Sequence, residues 1–306
     1  MDKSLDSNLI SVIVPTYMRA DRLPNAIDSI LRQSFRNIEI IIVNDNALGS
    51  DWDKKTEELI ARYALNDPRV HTIHTTGKIG GGAARNLGCS KAHGAYLAFL
   101  DDDDEYLPDK LETQLLFMLQ NDLEMSWQDI SWYDERGNLV EHRRLNHCSD
   151  FSSNGILRAH LLTPISPTSI YMLKRSLFEK TKGFGEVATG QDWWLMLRCI
   201  EANARIGYMP EVHVRQYLHK GDRLSLGENK IEGERARHKK VQEYYSLLSK
   251  EEISYVEFRH NAVLAFACLR SSRRLDAIRY LIRAICASPL ACIREAFNFF
   301  IKAKSE

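Results

Sequence analysis

Asp101, Asp102, Asp103 and Asp104 stand side by side directly after a short apolar run, Ala95 to Leu100. Adjacent carboxylates repel one another, and a hard divalent cation such as Mg²⁺ or Mn²⁺ relieves that repulsion, takes oxygen ligands and bridges to a diphosphate. The alternative is a solvated acidic loop that caps a helix beginning near Pro108. Position at the carboxyl end of a strand favours metal and nucleotide chemistry. Asp45, in Val43-Asn44-Asp45-Asn46, ends a second apolar run, where it can accept hydrogen bonds from a base or ribose or satisfy its own turn. Gly80-Gly81-Gly82-Ala83-Ala84-Arg85-Asn86 reads as the opening of a helix, whose free amides favour an anion and whose Arg85 can reach a phosphate. It matches neither the P-loop nor the dinucleotide fingerprint. Asp192, in Gly190-Gln191-Asp192-Trp193-Trp194-Leu195, is placed either for chemistry or to stabilise a helix start through the dipole. Trp193 and Trp194 could stack on a sugar ring, although a Trp at such a helix start more often belongs to the core. His219 lies in a polar stretch and by itself reads as solvent-facing.

These residues need a scaffold that brings strand ends together. Ile10 to Pro15 and Ile38 to Asn44 are nearly continuous Ile/Val runs, suited to parallel strands buried on both faces. Between them Asp21 can cap a helix whose apolar face is Ile27, Ile30 and Leu31. The alternation repeats with a helix around Asp53 to Leu65, a strand Val70 to His74, a helix near Ala83 to Lys91 and the strand Ala95 to Leu100, which predicts a doubly wound α/β sheet. Beyond Asn121 the alternation lapses into a mixed second half, with a hairpin from Trp127 to Tyr133 and Leu139 to His142. From about Lys230 apolar residues recur at helical spacing and predict a C-terminal helical appendage.

With 306 residues, 44% of them hydrophobic, the chain can bury a full core. Forty-one basic and 41 acidic residues cancel, so the overall field gives no reason to expect a nucleic-acid partner. The six cysteines show no Cys-x-x-Cys spacing and predict reduced, mostly buried thiols. The polar start, Met1 to Leu9, is unlike a secretory signal, and Arg279, Arg283 and Arg294 break the most apolar C-terminal region. A cytoplasmic protein without a transmembrane helix is expected.

Taken in order, Val12-Ile13-Val14-Pro15-Thr16-Tyr17, Val43-Asn44-Asp45, Ala83-Ala84-Arg85-Asn86, Phe99-Leu100-Asp101-Asp102-Asp103-Asp104 and Gln191-Asp192-Trp193 resemble glycosyltransferase family 2, inverting enzymes of the GT-A fold, of bacterial polysaccharide or lipopolysaccharide type. The resemblance covers about the first 225 residues. It implies a catalytic domain over 1–228 and a helical region over 229–306, and a nucleoside-diphosphate sugar, a UDP-sugar foremost, as co-substrate. Pro15, Thr16, Tyr17, Arg19 and Asp45 would hold the nucleotide; Asp101 and Asp102 would lie near ribose and diphosphate, with Arg85 near the donor. Asp103, joined by His219, would bind Mn²⁺ or Mg²⁺, and Asp192 would be the general base. Met18 stands where Asn is frequent, Asn44 replaces the first of a common Asp pair, and Gln191 replaces Glu, which puts an acceptor contact in doubt.

The reaction so implied is a direct displacement onto a hydroxyl of a glycan or lipid-linked acceptor. A sugar nucleotidyltransferase and a non-catalytic nucleotide-sugar binder are the competing readings. The first lacks a Gly-rich, Lys/Arg-bearing triphosphate loop after the first strand. In the segment Tyr255 to Lys304, Arg and Lys alternate with Leu275, Ile278, Leu281, Ile282 and Ile285, which suits peripheral contact with the inner face of the cytoplasmic membrane. A helical cap on the catalytic domain, or a homo-oligomer surface, fits the same pattern.

Overall fold

The computed structural model describes residues 7–187, 189–219 and 228–295. They fall into two compact units. The first holds residues 7–156, 165–186 and 191–219; the second holds 157–164, 187, 189–190 and 228–295.

In the first unit β1 (Ile10–Thr16), β2 (Ile38–Asn44), β3 (Val70–His74) and β4 (Tyr96–Phe99) alternate with α1 (Leu23–Leu31), α2 (Asp51–Asn66) and α3 (Gly81–Ser90). The strands are parallel in the order β3-β2-β1-β4, so their carboxyl ends share one edge. Every residue of β2, and all of β1 except Pro15, is buried, as the unbroken apolar runs require of strands covered on both faces. Asp21 does not cap α1. The helix starts after Arg22 with no side-chain cap, and Pro24 in its first turn supplies the pre-set φ instead.

The mixed half follows as β5 (Glu105–Tyr106), α4 (Lys110–Gln120), β6 (Met125–Tyr133), β7 (Leu139–Arg143), α5 (Ser153–Leu162), β8 (Met172–Lys174), α6 (Arg175–Lys180), α7 (Gln191–Glu201) and β9 (Ile206–Tyr217). One nine-stranded sheet results, continuing β4-β8-β6-β9-β5 with β7 paired to β6. β8 runs antiparallel to both β4 and β6, whereas β9 runs parallel to β6. The predicted hairpin is β6–β7, turned at Asp134, whose Oδ1 accepts from the amides of Arg136 and Asn138. Helix α3 lies close on β1 and β2 because residue 88 is glycine: a Cβ there would sit 2.6 Å from Ile13 Cγ2 and 3.0 Å from Val43 Cγ2.

The second unit is built on α8 (Glu228–Gln242), α9 (Lys250–Arg270) and α10 (Arg274–Ala287). A capping box between Ser249 and Glu252 starts α9 by satisfying orphan amides at both positions. Ile231, Leu264, Ala267, Cys268 and Ala277 form one core cluster, and Phe258, Ala284 and Ala291 another. The cysteines are free, with Cys89, Cys148, Cys199 and Cys268 buried, as expected of reduced thiols. Among the described residues no helix is long and apolar enough to cross a membrane.

Candidate active site

The parallel strands deliver their polar successors to one edge of the first unit. At the end of β2, Asp45 is 3% exposed and commits both carboxylate oxygens. Oδ1 accepts from the Thr75 hydroxyl at 2.8 Å and the Ile79 amide at 2.9 Å, and Oδ2 from the Gly80 amide at 2.9 Å. Asp45 thus fastens the loop that leads into α3, so a nucleotide contact would use its remaining lone pairs. From that loop Lys78 reaches over Tyr17, with Nζ 4.7 Å from the ring centroid. Tyr17 follows Thr16, which is buried beside Asp102. Met18 adopts φ 56° and donates its amide to Asn46 Oδ1 at 2.8 Å. That left-handed backbone is the conformation for which Asn is favoured, which accounts for the frequent Asn of the resemblance.

The acidic run separates into different environments. Asp104 is fixed to β9, accepting from the Tyr217 amide at 3.1 Å and Gln216 Nε2 at 3.4 Å. Asp101 receives Arg85 Nη2 in a close ion pair. Arg19 spans the middle two, with Nη1 3.1 Å from Asp102 and 2.7 Å from Asp103, and Arg22 stands 3.9 Å from Asp103. Burial pushes the Asp102 carboxyl up to about 7, against the pull of Arg19 and with the Asp103 charge adding to the rise. Asp103 is raised by burial and by Asp101, and Asp104 is raised further by burial and by its acidic neighbours. Crowded, desolvated carboxylates of this kind are relieved by positive charge.

His219, just beyond β9, comes to this cluster rather than facing solvent. Its side chain is 16% exposed, with Nε2 3.5 Å from Asp103 Oδ2 and Nδ1 3.7 Å from Glu135. Neither ring nitrogen makes a hydrogen bond among the described residues. Burial, and then the Arg22 charge, keep the imidazole below its ordinary pKa and hence neutral, the form that ligates metals. Carboxylate oxygens beside an imidazole with no hydrogen bond among the described residues are donor types that a divalent cation of the Mn²⁺ or Mg²⁺ class accepts.

Arg85 joins this edge to the helix that carries Asp192. It projects from α3, pairs with Asp101, donates through Nη1 to Gln191 Oε1 at 3.3 Å and lies 5.7 Å from the Phe184 ring. A Cβ on Gly82 would come within 3.0 Å of Gln191 Cδ, so the small residue makes room for that contact. Gln191 therefore has a role without an acceptor: it offers Arg85 a carbonyl oxygen and adds no further negative charge. Asp192 follows it in the first turn of α7, accepting from the Trp193 amide at 2.9 Å, where the helix dipole favours an anion. Trp193 is 2% exposed and belongs to the core. Trp194 packs edge-on against it at 5.0 Å.

Sequence reasoning missed a second polar cluster at the same strand ends. Asn44 Nδ2 donates to Asp53 and to Glu57, both at 2.9 Å, and His74 Nε2 lies 2.7 Å from Glu57. An Asp at 44 would set a third carboxylate against those two, which explains the Asn. Asp53, Glu57 and His74 have ligand atoms near enough to hold a metal, but they are already bonded to one another and to Asn44. The available signal was Asp53 and Glu57 at i,i+4 on α2, beside a strand-end His.

Residues 11–182 match the sequence profile of Glycosyl transferase family 2. An uncharacterized glycosyltransferase of Methanocaldococcus jannaschii, MJ1057, is 30% identical over 248 residues, 79% of each chain. In two other curated relatives, uncharacterized glycosyltransferases of Haemophilus influenzae and Rickettsia bellii, the match spans 51% and 28% of the relative's length. Among solved structures, Staphylococcus aureus TarS 1–349 in complex with UDP-GlcNAc aligns over 90% of this chain and 72% of its own, with a TM-score of 0.58 at 17% identity. Mannosyltransferase PcManGT of Pyrobaculum calidifontis, in complex with GDP-Man and Mn²⁺, aligns over 92% and 87%, with a TM-score of 0.56 at 18% identity. At those identities the likeness is one of fold, that of GT-A glycosyltransferases.

Proposed function

The chain belongs to glycosyl transferase family 2, and we propose that it moves a sugar from a nucleoside-diphosphate donor, a UDP-sugar foremost, to a hydroxyl of a glycan or lipid-linked acceptor with inversion at the anomeric carbon. The observation that carries this reading is the Asp101–Arg85–Gln191 link, which ties the acidic loop after β4 to the first turn of α7, where Asp192 is the next residue. Asp192 accepts the acceptor's hydroxyl proton as that oxygen attacks the anomeric carbon. The bond from that carbon to the diphosphate breaks, and its electron pair leaves with the nucleoside diphosphate. Pro15, Thr16 and Tyr17 close on the nucleotide from β1, and the Asp45-anchored loop closes from between β3 and α3. Asp101 and Asp102 meet the ribose and diphosphate side, with Arg19 and Arg85 supplying guanidinium donors there. Asp103 and His219 would hold Mn²⁺ or Mg²⁺, which when bound neutralises the charge of the departing diphosphate.

Both nucleotides seen with the fold neighbours belong in the test, UDP with TarS and GDP with PcManGT. Purified protein with Mn²⁺ or Mg²⁺ and a panel of UDP-, GDP- and dTDP-sugars should release nucleoside diphosphate from one donor. Asp192→Asn should lower that turnover by ~10²–10⁴ and leave donor affinity intact, because it removes only general-base help. Asp103→Ala should abolish the metal dependence of donor binding. Turnover undiminished in Asp192→Asn removes that residue from the role. Binding without transfer to any acceptor pool favours a nucleotide-sugar binder, and no donor binding at all defeats the reading.

A further inference from the structure

In the second unit α8, α9 and α10 line an open groove of about 540 Å³, within the range of small-molecule sites, about 300–1,000 Å³. Its lining sets two arginines, Arg235 and Arg283, and two histidines, His238 and His260, against one acid, Glu257. Arg235 and Arg283 stand around Tyr280: Arg235 Nη2 bonds the phenol oxygen at 3.0 Å, and Arg283 Cζ lies 5.7 Å from the ring. Neither guanidinium has a carboxylate within ion-pair distance among the described residues. His238 and His260 stack with ring centroids 3.7 Å apart and planes 11° from parallel.

The acids nearby are already matched. Glu257 takes the Tyr245 hydroxyl at 2.7 Å and faces His238 Nε2 at 3.2 Å. Glu234 is gripped by two nitrogens of Arg237 at 3.0 and 2.6 Å and by His260 Nδ1 at 3.0 Å. What is left over is donor capacity on the two guanidiniums, beside the buried Nδ1 of His238, a residue 8% exposed, whose Nδ1 has no hydrogen-bond partner among the described residues.

We infer that this groove is a binding site for a phosphate group, held between Arg235 and Arg283 and backed by the stacked imidazoles. Forked guanidiniums converging from two helices, with imidazole behind them, suit a multi-oxygen dianion better than a single planar carboxylate. The phosphate belongs either to a soluble phosphorylated ligand or to a lipid headgroup, since Leu281, Ile282 and Ile285, neighbours of Arg283 on α10, are 51%, 56% and 43% exposed. Its affinity is independent of the donor chemistry of the first unit.

The test uses the full chain with chelator present, so that metal-dependent diphosphate binding in the first unit is silent. One arm titrates inorganic phosphate and pyrophosphate by calorimetry. The other sediments the protein with phosphatidylcholine vesicles with and without phosphatidic acid. In whichever arm binds, Arg235→Gln with Arg283→Gln should weaken affinity roughly tenfold or more, and Lys at both positions should restore part of it. Both arginines are exposed, so the variants should keep the wild-type circular dichroism. Binding of free phosphate assigns a soluble ligand, and binding only to phosphatidic acid vesicles assigns a headgroup. Equal binding by wild type and the Gln variant, or no binding in either arm up to about 10 mM phosphate, overturns the inference.

Discussion

Removing the Arg85 guanidinium tests whether the acidic loop and the Asp192 helix are energetically linked. In Arg85→Met the chain keeps much of its apolar stem and loses two contacts. The pair with Asp101 is part-buried, with side chains 10% and 31% exposed. It therefore falls between an exposed ion pair and a buried charged hydrogen bond, about 1–2 kcal/mol. The bond to Gln191 Oε1 at 3.3 Å is long and has a neutral acceptor, which makes it worth about 0.5–1 kcal/mol. Arg85→Met should then cost roughly 1.5–3 kcal/mol. Double-mutant cycles with Asp101→Asn and Gln191→Met should return coupling energies near those two figures, the first at least as large as the second. Urea unfolding followed by tryptophan fluorescence reads the first unit alone, because all five tryptophans lie between Trp52 and Trp194 within it. The same variant should lower turnover and donor affinity together, since α7 loses its tie to the acidic loop and the donor loses a guanidinium. Additivity within about 0.3 kcal/mol for both pairs would refute the link.

Lys110 is fully buried, with Nζ unpartnered among the described residues and 4.2 Å from the Tyr106 ring, and burial drives its pKa well below the usual value. The unfolded amine keeps its proton to about pH 10.4 while the folded one has already released it, so stability rises with pH across that interval. Lys110→Met should therefore be more stable than wild type by about 1–3 kcal/mol at pH 7, with the gap narrowing toward pH 10. A variant less stable at pH 7, or a gap that widens with pH, contradicts this. Gly88→Ala gains about 1 kcal/mol of helix propensity but forces a methyl against Ile13 and Val43, so a net loss of roughly 1–2 kcal/mol is expected by the same urea assay. A stabilised Gly88→Ala protein would show that α3 can lift from the sheet at little cost.

Local pattern was enough for the elements that begin the fold. The unbroken Ile/Val runs of β1 and β2, the helical spacing between them and the acidic run after β4 follow from burial on both faces and from side-chain periodicity, which need no knowledge of distant residues. Where a local alternative existed, pattern was weaker: Asp21 looks like a cap, yet Pro24 sets the start of α1. The division of labour among Asp101 to Asp104 could not be read locally, because four identical side chains in a row differ only in what reaches them. Asp104 is held by β9, 113 residues on at Tyr217, and Arg85 meets Gln191 across 106 residues. His219 reads as a solvent-facing residue until the pairing of β9 with β6 and β5 carries it to Asp103. That carboxylates, a guanidinium and a glycine-rich helix start gather at the carboxyl edge of a parallel sheet is legible from residue order, since strand direction alone puts them there. Tertiary structure decided which carboxylate faces which partner, because that depends on the register of β8 and β9 and on the close approach Gly88 permits, and both are set by packing between segments far apart in the chain.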